Sequence, residues 1–297
     1  MEMHRGLAES VHRQTAADPG DWEATYRQMV LYDLAADVEL GFFLAYYRNF
    51  AIPGIAATLH RNGEIIQRPV KRTFDTAIVT YELIACGLNS ERGRHMIRLL
   101  NRVHRHVPGS NDDFLYVLLT LLDVPIRWAR GHAWRAPTLA EEAAATRFYQ
   151  ELGARMNIAA IPATLTEAER FFDHYERVDI AHSPAGVQLM AGTVQVLKSR
   201  LPALARPVAR TMLSAMFDDD RLTDALGLHR ANRASKAALR MVLETRNAIH
   251  RRRPLVTRAH FVPGEEVSGP HPTGYRLADI GPENIMKPTS RPNHGPS

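Results

Sequence analysis

The chain contains 297 residues, and 45% of them are apolar, which is enough to build a substantial hydrophobic core. The single cysteine, Cys86, excludes an intrachain disulfide and a cysteine-rich zinc site, so we expect a cytoplasmic protein in a reducing compartment. The 37 cationic side chains are interspersed with 32 acidic ones, a balance that does not indicate nucleic-acid binding. No signal-peptide core and no stretch of about 20 apolar residues is present, so we expect no transmembrane segment.

Apolar residues recur at the helical period from Trp22 to Arg253, and alternating runs typical of strands are few. We therefore predict an all-α fold. We expect residues 1–21 to form a partly flexible N-terminal segment and residues 22–254 a single domain of about eight to ten helices. Residues 255–297, rich in Pro, Gly and His, are predicted to be an irregular tail.

The first predicted helical segment is "DWEATYRQMVLYDLAADVELGFFLAYYRNF", which ends before Pro53 and Gly54. Helix starts are predicted further along the chain by N-capping residues. Ser90 precedes one helix, and two capping boxes are expected, Thr138 with Glu141 and Thr166 with Glu169.

The helix "RPVKRTFDTAIVTYELIACG" carries an unusual group of polar residues in one turn, namely Arg72, Asp75 and Thr76. One interpretation is a surface ion pair between Arg72 and Asp75, worth under about 1 kcal/mol. The other is functional: a guanidinium and a hydroxyl that face a buried propionate, an oxygen ligand or a substrate carbonyl. The pattern alone leaves both open.

The segment "HMIRLLNRVHRHV" contains two histidines that the helical period separates. His104 lies on an apolar stripe with Leu100 and Val107, whereas His106 is about 200° further around the helix, beside arginines. His106 is therefore predicted to face solvent. His104 is predicted to face the core, either as a hydrogen-bonded core imidazole or as the single axial ligand of a haem, and periodicity does not choose between these.

Other motifs are uninformative or absent. The adjacent carboxylates of Asp112 and Asp113 in "NDDFLYVL" are better explained by a helix start than by a metal site. The chain has no GxGxxG after a strand, no GxxxxGK[ST] and no GxSxG, which argues against nucleotide-cofactor enzymes and serine hydrolases.

The order of several motifs resembles the haem oxygenase family that groups MpaB-like enzymes with the latex-clearing rubber oxygenases. The motifs are "NFAIPGIAATLHRNGEI", "RPVKRTFDT", "NRVHRHVPGSNDDFLYVL", "ARMNIAAIP" and "DDDRLTDALGL". The runs "NDDFLYVL" and "ARMNIAAIP" place the chain nearer the MpaB-like branch.

The resemblance implies roles for individual residues. His104, followed by Val107, would be the axial ligand of the haem iron, and Arg72 and Thr76 would line the haem and take part in catalysis. Asp75, the third expected catalytic residue, stands where one rubber oxygenase has a lysine near the iron. This departure implies a different distal side.

The resemblance also implies a globin-like helical core around haem b and O₂-dependent cleavage or oxidation of a carbon–carbon double bond in an apolar, isoprenoid- or terpenoid-like substrate. Two alternatives remain at this stage. One is a haem-binding protein without oxygenase activity, such as a sensor or a peroxidase-like enzyme, and the other is a cofactor-free helical scaffold. Contact of "HRRRP", residues 250–254, with an acidic lipid surface or a redox partner is also left open.

Overall fold

The computed structural model describes residues 20–200, 203, 206–254, 256–267 and 271–281. These residues form α-helices and no β-strand, which confirms the all-α prediction. No helix among them is both long and apolar enough to cross a membrane. Most of the expected N-terminal segment 1–21, and residues 282–297 of the tail, lie outside the described residues.

The described part of the chain contains thirteen α-helices. They are α1 (Trp22–Gln28), α2 (Ala35–Arg48), α3 (Pro53–Asn62), α4 (Glu64–Gln67), α5 (Pro69–Cys86), α6 (Glu91–His104), α7 (Asn111–His132), α8 (Leu139–Arg155), α9 (Leu165–Asp179), α10 (Pro184–Arg200), α11 (Ala209–Met216), α12 (Asp220–Ala225) and α13 (Arg233–Arg252).

The predicted number of eight to ten helices was too low. Helices such as α4 and α12 have four and six residues, so they show too few turns for an apolar period to be recognised. The first predicted segment is also divided, because a π-helical turn over Met29–Asp33 separates α1 from α2. Gly63, with a φ of 71°, ends α3 in the left-handed conformation that glycine adopts without steric cost.

The capping predictions were right at two helices and wrong at one. The Ser90 hydroxyl accepts a hydrogen bond from the Gly93 amide, and Thr138 forms the expected capping box with Glu141. For α9 the box is formed by Thr164 and Glu167, two residues before the predicted pair. Glu169 is instead engaged by Arg130, whose Nη1 donates to it over 2.6 Å.

Helices α2 and α7 cross at the centre of the fold. Their approach depends on Gly41, because a Cβ atom at this position would lie 2.4 Å from the Cα atom of Pro125. Helix α7 supplies buried residues to two hydrophobic clusters, Leu118 and Leu122 to the first and Trp128 to the second. The first cluster joins α7 to α1, α5, α6 and α8, and the second joins it to α2, α3, α9, α10 and later helices.

Buried ion pairs connect segments that are distant in the sequence. Arg48 at the end of α2 donates to both carboxylate oxygens of Glu176 on α9, which also accepts a 2.9 Å hydrogen bond from Tyr116 on α7. Arg135 similarly joins Asp33 to Glu141. Such charges are tolerated inside a protein only when they are paired and hydrogen-bonded, as they are here.

The described part of the C-terminal tail is irregular apart from a 3₁₀ turn over Leu277–Asp279. It packs on the first cluster: Tyr275 and Ile280 are buried, and the ring of Phe261 stacks on Tyr81 with centroids 5.3 Å apart. The His260 amide donates to the Leu31 carbonyl over 2.8 Å. The described part of the tail therefore packs into the hydrophobic core on the side of α5.

Candidate functional site

His104 is the last residue of α6, and its two ring nitrogens have different environments. Nδ1 lies 2.8 Å from the carbonyl oxygen of Leu100, one helical turn earlier. A carbonyl oxygen only accepts, so this contact places the proton on Nδ1 and leaves the lone pair on Nε2. The ring is partly buried and meets Phe114 edge to face at 6.1 Å. Nε2 is thus the atom that could ligate a metal.

The surroundings of His104 favour the neutral imidazole. Burial lowers the pKa of His104 below its ordinary value of 6.5, and the nearby positive charge of Arg72 lowers it further. The hydrogen bond to Leu100 opposes these two effects without cancelling them. His104 is therefore unprotonated at neutral pH, which is the state that binds a metal. His106 is exposed, as the helical period predicts.

Arg72 and Thr76 form a bonded pair on α5. The Arg72 guanidinium donates to the Thr76 hydroxyl through Nη1, and the same hydroxyl donates to the Arg72 carbonyl oxygen over 3.0 Å. This arrangement holds the guanidinium against the helix, where its charge acts on His104 of α6. The structure therefore places His104 within electrostatic reach of the bonded pair of Arg72 and Thr76.

A fourth residue at this place, Tyr46 on α2, was not singled out in the sequence. Burial raises the pKa of its phenol, while Arg72 lowers it and a contact with the Thr73 hydroxyl lowers it as well. Tyr46 remains protonated at neutral pH, and its buried hydroxyl has no hydrogen-bond partner among the described residues, so it could donate to a group bound beside Arg72. In the sequence "LAYYRNF" Tyr46 is one of several aromatic residues. Its position beside Arg72 becomes evident only from the packing of α2 against α5.

Asp75 lies apart from this group. Its carboxylate is buried and accepts hydrogen bonds from Lys71 Nζ at 2.5 Å and from the Gly281 amide at 3.2 Å. His271 Nε2 is 3.9 Å from its other oxygen. The surface ion pair between Arg72 and Asp75 is not formed, because Arg72 bonds Thr76 and Asp75 faces the tail. Asp75 joins α5 to the C-terminal segment.

A cleft of about 340 Å³ lies between α5, α2 and the tail, and His104 is not among the residues around it. Its wall combines apolar and charged side chains. The charged ones are Arg258, Glu265, Glu266 and the pair of His260 and Glu39, whose side chains are 3.3 Å apart. The apolar lining includes Phe43, Phe74, Ala77, Ile78, Phe261 and Val262. Thr73 and Ala77 place this cleft next to the turn of α5 that carries Arg72 and Thr76.

The donor set around His104 suits one kind of metal group. Within the described ranges, no three His, Cys, Asp or Glu side chains lie close enough together to hold a bare metal ion. A haem iron requires only one or two protein ligands in an apolar setting. His104 supplies one such ligand, an imidazole with an oriented Nε2 and the Phe114 ring beside it.

Comparison with known proteins agrees with this arrangement. The family model described as "ER-bound oxygenase mpaB/B'/Rubber oxygenase, catalytic domain" matches residues 32–248, a range that contains Arg72, Thr76 and His104. The ER-bound oxygenase mpaB' of Penicillium brevicompactum is 24% identical over 263 residues, covering 80% of this chain and 61% of that protein. The ER-bound oxygenase mpaB of Penicillium roqueforti (strain FM164) is 26% identical over 207 residues, covering 64% of this chain and 69% of that protein.

Proposed function

Because this chain belongs to the MpaB and rubber oxygenase catalytic domain family, we propose that it is a haem b-dependent oxygenase. Its substrate would be an apolar alkene of the isoprenoid or terpenoid class, which is oxidised or cleaved at a carbon–carbon double bond. The observation that carries the proposal is the free, oriented Nε2 of His104 beside Arg72.

In this proposal His104 holds the haem iron through Nε2, and the Leu100 carbonyl keeps the imidazole in the required tautomer. The Phe114 ring excludes water from one side of the imidazole. When bound, haem supplies the activation of O₂, which the side chains of a protein cannot provide.

Arg72 and Thr76 would act on negative charge near the haem. The Arg72 guanidinium is a fixed positive group with further donors, suited to a haem propionate or to an oxygen atom of O₂ or substrate. Thr76 orients it, and the Tyr46 phenol adds a neutral donor on the α2 side. We propose that Asp75 connects the tail to α5 through its hydrogen bonds and does not act as a reacting group.

The first test is an absorption spectrum of the full chain expressed with added haem precursor. We expect a Soret band that is lost in His104→Ala and retained in His106→Ala, with haem confirmed by the pyridine assay. A colourless protein without haem contradicts the proposal. If His104→Gln then also leaves the thermal midpoint unchanged, the chain is a cofactor-free scaffold.

The second test separates an oxygenase from other haem proteins. We expect the haem-loaded protein to consume O₂ and to form carbonyl or other oxygenated products from polyprenyl or terpenoid alkenes. Arg72→Gln should retain the Soret band and lower the rate, by analogy with a lost oxyanion donor, by about 10²-fold or more. Bound haem with no O₂ uptake on any such alkene would favour a sensor or a peroxidase-like protein.

A further inference from the structure

Helix α13 lies on the surface of the molecule and is attached along one side only. Leu243 and Asn247 are its buried residues, and the Asn247 amide donates to the His132 carbonyl over 2.8 Å. Arg246 on the same side pairs with Asp37 at 2.6 Å. At about 100° per residue, the opposite side of the helix is directed to solvent.

The solvent-directed side of α13 is mostly apolar from Ala234 to Ile249, with Thr245 as the one polar residue inside it. Met241, Val242 and Ile249 are 65%, 62% and 48% exposed. Four exposed alanines share their side of the helix, namely Ala234, Ala237, Ala238 and Ala248. Single exposed apolar residues are ordinary, but a stripe of seven along one helix marks an interaction surface.

Exposed apolar residues are also found on the neighbouring helix α11, which packs against α13. Val208, just before α11, is 48% exposed, and Met212 within it is 38% exposed. The apolar surface is therefore not confined to one helix.

The net positive charge of the protein is concentrated on the same helix and the residue that follows it. Residues 233–253 contain seven Lys and Arg side chains and one acid, Glu244, which is a net charge of +6. Two of these cations, Lys236 and Arg246, are paired with Asp220 and Asp37 outside the segment, and the other five form no ion pair among the described residues. The whole chain has a net charge of +5, so everything outside this segment sums to −1. Arg240 lies beside the apolar stripe, as does Arg251, whose Nε donates to the Trp134 carbonyl over 3.0 Å. Arg252 and Arg253 are exposed at its C-terminal end.

We infer that α13 docks on an anionic lipid bilayer, with its apolar stripe in the headgroup region and its arginines on acidic lipid headgroups. A helix with a large apolar stripe bordered by cations is the arrangement that binds a membrane surface without spanning it. This inference does not depend on haem or on the proposed reaction.

Two other occupants fit the surface less well. A nucleic acid is polar at its surface and would leave Met241, Val242 and Ile249 without an apolar contact, since its phosphates are bound by charged and polar groups. A second copy of the chain would bring two segments of charge +6 together, and like charges at an interface are destabilising.

The test is flotation of the full chain with vesicles of phosphatidylcholine, with and without phosphatidylserine. We expect binding to the vesicles that contain phosphatidylserine, weakened by added salt. Met241→Ser/Val242→Ser should weaken binding at least about tenfold by removing apolar burial. Arg252→Gln/Arg253→Gln should weaken it about fivefold for each arginine.

Leu139→Ser/Val178→Ser is the matched control, because these residues are 85% and 65% exposed but lie on α8 and α9. It should bind like the unmodified chain, and circular dichroism establishes that all variants are folded. The inference is overturned if no vesicle is bound, or if the control loses as much affinity as the α13 variants. It is also overturned if the chain binds DNA or RNA but no vesicles, or if Met241→Ser/Val242→Ser only converts a dimer to a monomer.

Discussion

Arg72 on α5 and His104 on α6 are brought within electrostatic reach of each other by the packing of these two helices. Burial lowers the pKa of His104, and the Arg72 charge lowers it further. Below pH 6.5 the unfolded state therefore binds more protons at this position than the folded state. The contribution of His104 to the free energy of unfolding should fall as the pH decreases through this window, because protonation of this imidazole favours the unfolded chain.

Arg72→Gln is expected to raise the pKa of His104 toward its ordinary value, since it removes the nearby positive charge. The measurement is an NMR titration of the histidine ring protons in the haem-free protein. Arg98→Gln is the matched control, because Arg98 lowers the pKa of His95 after the larger effect of burial there. A His104 pKa that responds to Arg98→Gln instead of Arg72→Gln would contradict the assigned arrangement.

Asp75→Ala is expected to loosen the C-terminal tail. The substitution removes the acceptor for Lys71 and for the Gly281 amide, and a hydrogen bond to a charged group is worth about 1.5–3 kcal/mol. Hydrogen exchange in residues 271–281 should accelerate by roughly tenfold or more. Mass spectrometry of peptides follows it, with the exposed Asp112→Ala as control. Unchanged exchange in 271–281 would show that other contacts hold the tail.

Asp123 makes the stability of the fold depend on pH in the opposite sense to most carboxylates. It is fully buried on α7, neither of its oxygens has a hydrogen-bond partner among the described residues, and burial raises its pKa to about 8. Between pH 3.8 and about 8 the folded state keeps a proton that the unfolded state releases. The contribution of Asp123 to the free energy of unfolding should therefore fall as the pH rises through this window, opposite in sign to the contribution of His104 below pH 6.5.

Asp123→Asn should remove this dependence. We expect its stability to exceed that of the unmodified chain by an amount that grows by up to about 1.4 kcal/mol per pH unit and levels off above the folded pKa. Urea unfolding between pH 5 and 9 would measure it, with Asp112→Asn as an exposed control on the same helix. Parallel pH profiles for the two variants would refute the protonated, buried Asp123.

Two helical glycines should respond to alanine with opposite signs. Gly41→Ala forces a Cβ atom against Pro125, so we expect a loss of about 1–3 kcal/mol from overpacking at the α2 and α7 crossing. A Cβ atom at Gly131 would meet nothing within 4 Å, and Gly131→Ala should stabilise α7 by about 0.5–1 kcal/mol. Thermal unfolding of both variants provides the comparison. Equal effects would mean that helix propensity alone decides them.

Local patterns in the sequence were sufficient for the all-α fold, for the caps at Ser90 and Thr138 and for the exposure of His106. Each depends on residues within one or two turns of each other, where the helical period and the orphan amides of a helix start act directly. The capping box of α9 could not be placed in the same way, because "TLTEAE" offers two threonines and two glutamates at the right spacing. Arg130, from another helix, engages Glu169 and leaves Glu167 for the cap.

Tertiary packing decided the rest. Arg72 and Asp75 are three residues apart in sequence, yet one acts on His104 and the other holds Gly281, 206 residues away. Tyr46 joins the site, and Arg48 meets Glu176 across 128 residues, only because α2 packs on α5 and α9. The helical period predicts the direction in which a side chain points from its own helix. The charge or hydrogen-bond partner it meets there, and therefore its pKa and its chemistry, depends on which distant segment is packed on that side.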